Sequence, residues 1–145
     1  MGASTLKALR DLDAGVHWAL AGAKGERSAG NGAAMRIAPL GFHLNPEDDL
    51  HRRLIRDVCR ITHHNEEAYV AALAVVVAIR SLAFNQARPS DLLDILPSRL
   101  PDSRVRDRIM QLASLPNKSV ADIAAKFGSS GYAANCIAFL WEDFM

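Results

Sequence analysis

The stretch Ser28-Ala29-Gly30-Asn31-Gly32-Ala33-Ala34-Met35-Arg36 decides how the rest of the chain is read. Two glycines flank an asparagine, and small residues, a methionine and an arginine follow. Glycine tolerates positive φ and leaves room for another group to approach the backbone. Residues 33–40 open a helix, and the first N–H groups of a helix have no internal partner. A glycine-rich turn running into such an end offers main-chain donors and a positive dipole end to an anion such as a phosphate. The tripeptide alone fits an ordinary loop that needs two glycines better than it fits an anion site. It lacks the third glycine and the preceding strand of a dinucleotide fingerprint. No Walker loop or nucleophile elbow occurs elsewhere.

Outward from this loop the pattern is helical. Ser4 is placed to cap a first helix ending near Gly22, with Leu6, Leu9, Leu12 and Val16 at helical spacing. Residues 22–32 form the loop, and a short helix runs from Ala33 toward Gly41, disturbed by Pro39. Asn45-Pro46 opens the next helix, with Leu50, Leu54, Val58 and Ile61 as its apolar stripe and Arg52, Arg53, Arg56 and Asp57 outward. Asn65 caps a helix whose first turn carries Glu66 and Glu67. Residues 68–79 are apolar on every side, as expected of a helix in the middle of a helical protein. That run falls short of the ~20 apolar residues of a membrane span. Ser90 caps a short helix stopping near Pro97, Pro101-Asp102 opens one carrying Val105, Ile109 and Leu112, and Ser119 caps residues 120–127. A turn at 128–131 precedes a last helix over 132–145. No strand-period segment, repeat or linker is visible. Residues 1–145 therefore read as one all-α domain, a compact orthogonal multi-helix core.

Residues 28–41, SAGNGAAMRIAPLG, closely resemble a hallmark of the ADP-ribosylglycohydrolase family. The resemblance extends upstream through Leu9, Gly15-Val16-His17-Trp18, Gly22 and Gly25-Glu26-Arg27. Downstream it includes Thr62-His63 and Phe127-Gly128-Ser129-Ser130-Gly131-Tyr132. It implies an all-helical fold that cleaves the bond joining the anomeric carbon of ADP-ribose to a protein side chain or small acceptor. It further implies that Gly30, Asn31 and Gly32 touch the phosphates or riboses and that His63 faces the ligand. Tyr132, after Gly131, is implied to stack on adenine; such stacking is worth ~1–3 kcal/mol in nucleic-acid systems.

Members of the family are longer. They hold a pair of magnesium ions on a T-D-D-type segment before this region and a G-G-D-x-D-[TS]-type segment after it. Neither is present: Asp11 and Asp13 lack the Thr-Asp-Asp context, and only Glu142 and Asp143 follow Tyr132. The expectation is a truncated family core for which magnesium is implied but no ligand is identified, with a complementing chain as one source of the missing ends. A non-catalytic ADP-ribose or nucleotide-binding module, or a purely structural helical module, is the alternative.

Plainer roles stand beside these. Met35 is expected to pack under the loop, and Arg36 to pair with an acid or to be a surface charge. The imidazole of His63 changes charge near neutral pH if unperturbed, but His and Asn are also common before a helix. His64 is expected to face solvent, and a metal set of His63, His64 and Glu67 matches no standard spacing. Tyr132 also fits a core tyrosine with one hydroxyl partner. Asp48-Asp49 and Glu66-Glu67 read as first-turn helix acids rather than a catalytic carboxylate pair. Residues 119–135 resemble a helix-turn-helix, yet no Lys or Arg follows Lys126 to meet phosphates.

Half the residues are hydrophobic and the formal net charge is +1, which gives no electrostatic argument for nucleic acid or an anionic membrane. Cys59 and Cys136 read as free thiols of a cytoplasmic protein. Residues 1–20 lack the apolar core of a signal peptide, and Leu6 stands where a myristoylation site wants Ser or Thr. Ile137, Phe139, Leu140, Trp141 and Phe144 make the last helix apolar enough to predict self-association through it.

Overall fold

The central helix starts where the sequence says it should. The Asn65 side chain accepts the N–H groups of Glu67 (2.8 Å) and Ala68 (3.4 Å), two donors that the first turn leaves without an internal partner. In this computed structural model, which describes residues 2–115, 120–128 and 130–135, helices dominate and the fold is all-α. They are α1 (Ala3–Asp13), α2 (Gly32–Ile37), α3 (Asp49–Arg60), α4 (Glu66–Phe84), α5 (Leu92–Arg99), α6 (Arg104–Ala113) and α7 (Val120–Phe127). Short 3-10 turns cover Glu26–Ser28, Ala38–Phe42 and Pro89–Asp91.

Helix α4 is the axis of the core. Its buried face is nearly its whole circumference, from Ala68 to Val77, and the alanines let α2, α3, α5 and α6 pack close. Ile37, Ile55, Leu92, Leu96, Val105 and Ile109 close around it, each almost wholly buried. Full burial of such a side chain stabilises by about 1.5–3 kcal/mol. By length and composition α4 passes for a membrane span, since it runs on to Phe84 at 19 residues; more than half of it is buried inside the protein.

Several boundaries differ from the sequence reading. Helix α1 stops at Asp13, well before Gly22, and begins after Gly2, with Ser4 inside it rather than at its cap. Helix α3 begins at Asp49 rather than at Asn45-Pro46, because the Asp48 carboxylate accepts the N–H groups of Leu50 (2.8 Å) and His51 (3.1 Å). Its core face is Ile55 and Cys59, whereas Leu50 and Leu54 are exposed. The turn before α5 is closed by Asp91 accepting the Arg88 N–H at 2.9 Å, not by Ser90. Helix α5 then runs through Pro97 to Arg99.

Helix α6 carries Val105, Ile109 and Leu112 inward as expected. The Ser103 hydroxyl accepts the Arg106 N–H at 3.1 Å. The Glu67 carboxylate, from α4, accepts the N–H groups of Arg104 and Val105 at 3.0 Å each. In α7, Ile123 and Phe127 pack on Leu112.

Two strands of two residues each, β1 (Ala23–Lys24) and β2 (His63–His64), pair in parallel with Ala23 opposite His63. They are too short to leave a period in the sequence. The expected cap Ser119, the thiol Cys136 and the apolar residues from Ile137 to Phe144 lie outside the described residues.

Candidate functional site

The glycine loop is held from three sides. The 3-10 turn at Glu26–Ser28 brings the chain in, with the buried Ser28 hydroxyl donating to Gly25 O at 2.7 Å. The Asn65 amide, besides capping α4, donates to Gly25 O at 3.1 Å. On the far side Gly30 bridges Tyr132 in antiparallel fashion: the Asn31 N–H donates to Gly131 O (3.0 Å) and the Ala133 N–H to Ala29 O (2.8 Å). The Asn31 N–H is therefore already paired.

His63 lies beneath this loop. A Cβ on Gly32 would stand 2.9 Å from its Cε1, and one on Gly30 3.4 Å from its Nε2. Neither glycine has positive φ. The loop needs them for close approach of a ring, not for a left-handed backbone. The imidazole is 3% exposed, and its Nδ1 is 2.6 Å from the Thr62 hydroxyl. Burial, and then the charge of Arg36, push its pKa down to about 4. The ring is thus neutral at ordinary pH, in contrast to the near-neutral titration expected of an unperturbed histidine.

Among the described residues Arg36 pairs with no acid. Its half-buried guanidinium donates to Gly32 O (3.1 Å), Val58 O (2.9 Å) and Cys59 O (3.3 Å). The last two carbonyls belong to the end of α3, where helix carbonyls lack internal donors and a cation suits the dipole. Desolvation lowers the Arg36 pKa, but a guanidinium stays charged regardless. Met35, expected under the loop, is 74% exposed. Helix α2 turns Ala33, Ala34 and Ile37 inward, which leaves Met35 on the opposite side.

Successive residues of a strand point to opposite faces. While His63 meets the loop, His64 is half-buried with its Nε2 2.7 Å from Ala21 O, and it does not face solvent freely. The Cys59 thiol donates to His63 O at 3.6 Å and is pushed by burial up to about 12, so it is an inert structural thiol.

The sequence-level site residues Gly30, Asn31, Gly32, His63, Gly131 and Tyr132 are therefore brought into one place. One residue that the sequence did not single out joins them. Arg104, at the start of α6, donates to the Tyr132 hydroxyl at 3.4 Å. Together with Asp107, Arg108, Gln111, Ala134 and Asn135 these two line a cleft of about 340 Å3. No local pattern marks Arg104; its place follows from the hold of Glu67 on α6.

The donor set does not suit magnesium, which takes oxygen ligands in near-octahedral geometry. Among the described residues no three of His, Cys, Asp and Glu gather as a metal site. His63 and His64 point to Thr62 and Ala21, and the Glu67 oxygens are taken by the amides of α6.

The family model for ADP-ribosylglycohydrolase matches residues 1–142. An uncharacterized protein of Archaeoglobus fulgidus is 30% identical over 131 residues, covering 90% of this chain and 42% of that relative. The chain thus spans less than half of the relative's length. No solved structure matches. The matched span takes in the glycine loop, His63 and Gly131-Tyr132 together, and the chain belongs to the ADP-ribosylglycohydrolase family.

Proposed function

We propose that this chain takes part in hydrolytic removal of ADP-ribose from a protein side chain or small acceptor, and that its own share is to hold the ADP-ribosyl group. The observation that carries this reading is the junction of Gly30 with Tyr132 above a neutral, buried His63. A loop without side-chain bulk lets a diphosphate approach the main chain. The Tyr132 ring beside it offers a face for adenine. His63, its pKa pushed down to about 4 by burial and the charge of Arg36, supports the loop as a neutral ring.

Among the described residues no three of His, Cys, Asp and Glu gather to hold the family's magnesium, and no bond-breaking step is assigned to them. In this reading the acids that would bind metal come from outside these residues, on a complementing chain or segment. The same observation favours a second reading, an ADP-ribose-binding module that does not hydrolyse. The buried free thiol of Cys59 fits a reducing, cytoplasmic setting.

Calorimetric titration with ADP-ribose, with and without magnesium, tests the cradle. The expected result is binding of equal strength in both. A hydrolysis assay on ADP-ribosylated protein with this chain alone tests the division of labour, and no turnover is expected. Release of ADP-ribose that responds to added divalent cation would overturn the assignment, and a lack of any binding would overturn the cradle itself.

A further inference from the structure

We propose that the cleft beside Tyr132 is a subsite for a phosphoryl group of the bound nucleotide, and that Arg104 is the residue that makes it selective. The inference deepens the ADP-ribose reading and rests on it.

The cleft is polar and open, and Arg104, Arg108 and Asp107 are its charged lining residues. Its two cations differ in their freedom. The Arg108 guanidinium lies 4.9 Å from the Phe127 ring centroid and donates to Gln111 at 3.1 Å, so it is held back against α7. Arg104 has an exposed side chain whose hydrogen bond is to the Tyr132 hydroxyl, at the long distance of 3.4 Å. A guanidinium has five N–H donors in a planar fork matched to phosphate oxygens, and one weak bond to a phenol leaves that fork available. The same phenol is part of the ring joined to the glycine loop through the Gly30–Tyr132 bridge. A nucleotide lying on Tyr132 therefore has a planar cation within reach at the ring's polar end.

The placement is built in, not accidental to a loose side chain. The Arg104 main-chain N–H is bonded to the Glu67 carboxylate at 3.0 Å, and Glu67 belongs to the first turn of the most buried helix. Changing the Arg104 side chain leaves that bond intact. Asp107, one turn further along α6 in the lining, and Glu67 and Glu26, whose charges act on the Arg104 guanidinium, are the negative groups that an anionic ligand must tolerate.

The test compares ADP-ribose, ADP and adenosine on the whole chain and on Arg104→Met, Arg104→Lys and Asp107→Asn. Charge-assisted bonds to phosphate are roughly twice as strong as neutral ones. Arg104→Met is expected to weaken ADP-ribose and ADP about tenfold while leaving adenosine unchanged, and to flatten the dependence of binding on salt. Arg104→Lys should recover part of the loss, since the charge returns without the fork. Asp107→Asn should tighten ADP-ribose binding severalfold. Thermal unfolding of each variant checks that the fold is kept. Equal weakening of adenosine and ADP-ribose by Arg104→Met would overturn the proposal, because it would show support of Tyr132 rather than recognition of phosphate. Unchanged ADP-ribose binding in Arg104→Met would overturn it while leaving the cradle reading in place. A wild-type chain that binds none of the three ligands would overturn both.

Discussion

Gly22 and Gly15 have the same φ, +83°, and entirely different surroundings. A Cβ on Gly15 would meet nothing within 4 Å, while one on Gly22 would stand 2.8 Å from the Cα, C and O of Thr62. Alanine at Gly15 therefore reports the backbone alone. A left-handed conformation costs a residue with a Cβ about 1–2 kcal/mol. Alanine at Gly22 carries that cost and a clash with main chain, which cannot swing aside as a side-chain tip can. Forced overpacking adds about 1–3 kcal/mol. Any retreat also strains the Ala23 N–H to Thr62 O bond (3.1 Å) and the Gly22 N–H to Asp11 Oδ2 bond (2.9 Å), at about 0.5–1.5 kcal/mol each if lost. Gly22→Ala should thus destabilise by roughly 3–5 kcal/mol against about 1–2 for Gly15→Ala. Guanidinium unfolding at equilibrium measures both, and unchanged slopes would show that the same unfolding is being compared. Because Thr62 precedes His63, Gly22→Ala should also disturb the floor of the glycine loop and weaken ADP-ribose binding. Equal destabilisation by the two variants would refute the reasoning, since it would mean that the Thr62 backbone yields freely.

Two further outcomes follow from the site. Arg36→Met removes the donor to Gly32 O, Val58 O and Cys59 O and should destabilise by about 2–4 kcal/mol. Arg36→Lys should restore less than half, since one ammonium cannot span three carbonyls; loss within about 0.5 kcal/mol would instead mark a plain surface charge. His63 has a folded pKa of about 4, below the roughly 6.5 of an unfolded histidine. As pH falls the unfolded chain takes the proton first. The contribution is whole above pH ~6.5 and is lost between there and pH ~4, at up to about 3 kcal/mol. Urea midpoints across that range should fall more steeply in the wild type than in His63→Asn; parallel profiles would contradict a desolvated, neutral ring.

What could be read from the chain follows the range of the forces involved. Asn65 as a cap and the apolar run of α4 were legible because capping and helical periodicity act within a few residues. At α3 two local signals competed. Pro46 suits a first helical position, but the Asp48 carboxylate satisfies two amides at once and sets the start. On α3 the core face is set by Ile55 and by Cys59, which behaves as a small apolar side chain, while of the expected stripe Val58 packs on the core and Leu50 and Leu54 are exposed. The two roles expected of Arg36, an ion pair or a surface charge, leave out its carbonyl partners at Val58 and Cys59, which are fixed by packing of α2 on α3. The environments of His63 and His64 follow from a two-residue strand that periodicity cannot detect. The meeting of Gly30, His63 and Tyr132 came from the family resemblance, because no spacing rule relates residues so far apart in the chain.

The site's two walls answer to one element. Asn65 ties the first turn of α4 to Gly25 at the root of the glycine loop, and Glu67 ties the same turn to the first amides of α6. Arg104 and the loop are therefore positioned by side chains two residues apart on the most deeply buried helix. Tyr132 closes the circuit, bonded through its hydroxyl to Arg104 and bridged through its backbone to Gly30. Binding geometry tolerates little error, and it is best kept by groups anchored to a packed helix rather than by a free loop. Here the glycine loop has no bulk of its own to resist displacement, so its precision must come from below, through His63, and from the side, through Asn65. The side-chain bonds of Asn65 and Glu67 at the start of α4 thus convert the rigidity of an apolar helix into the position of the proposed cradle.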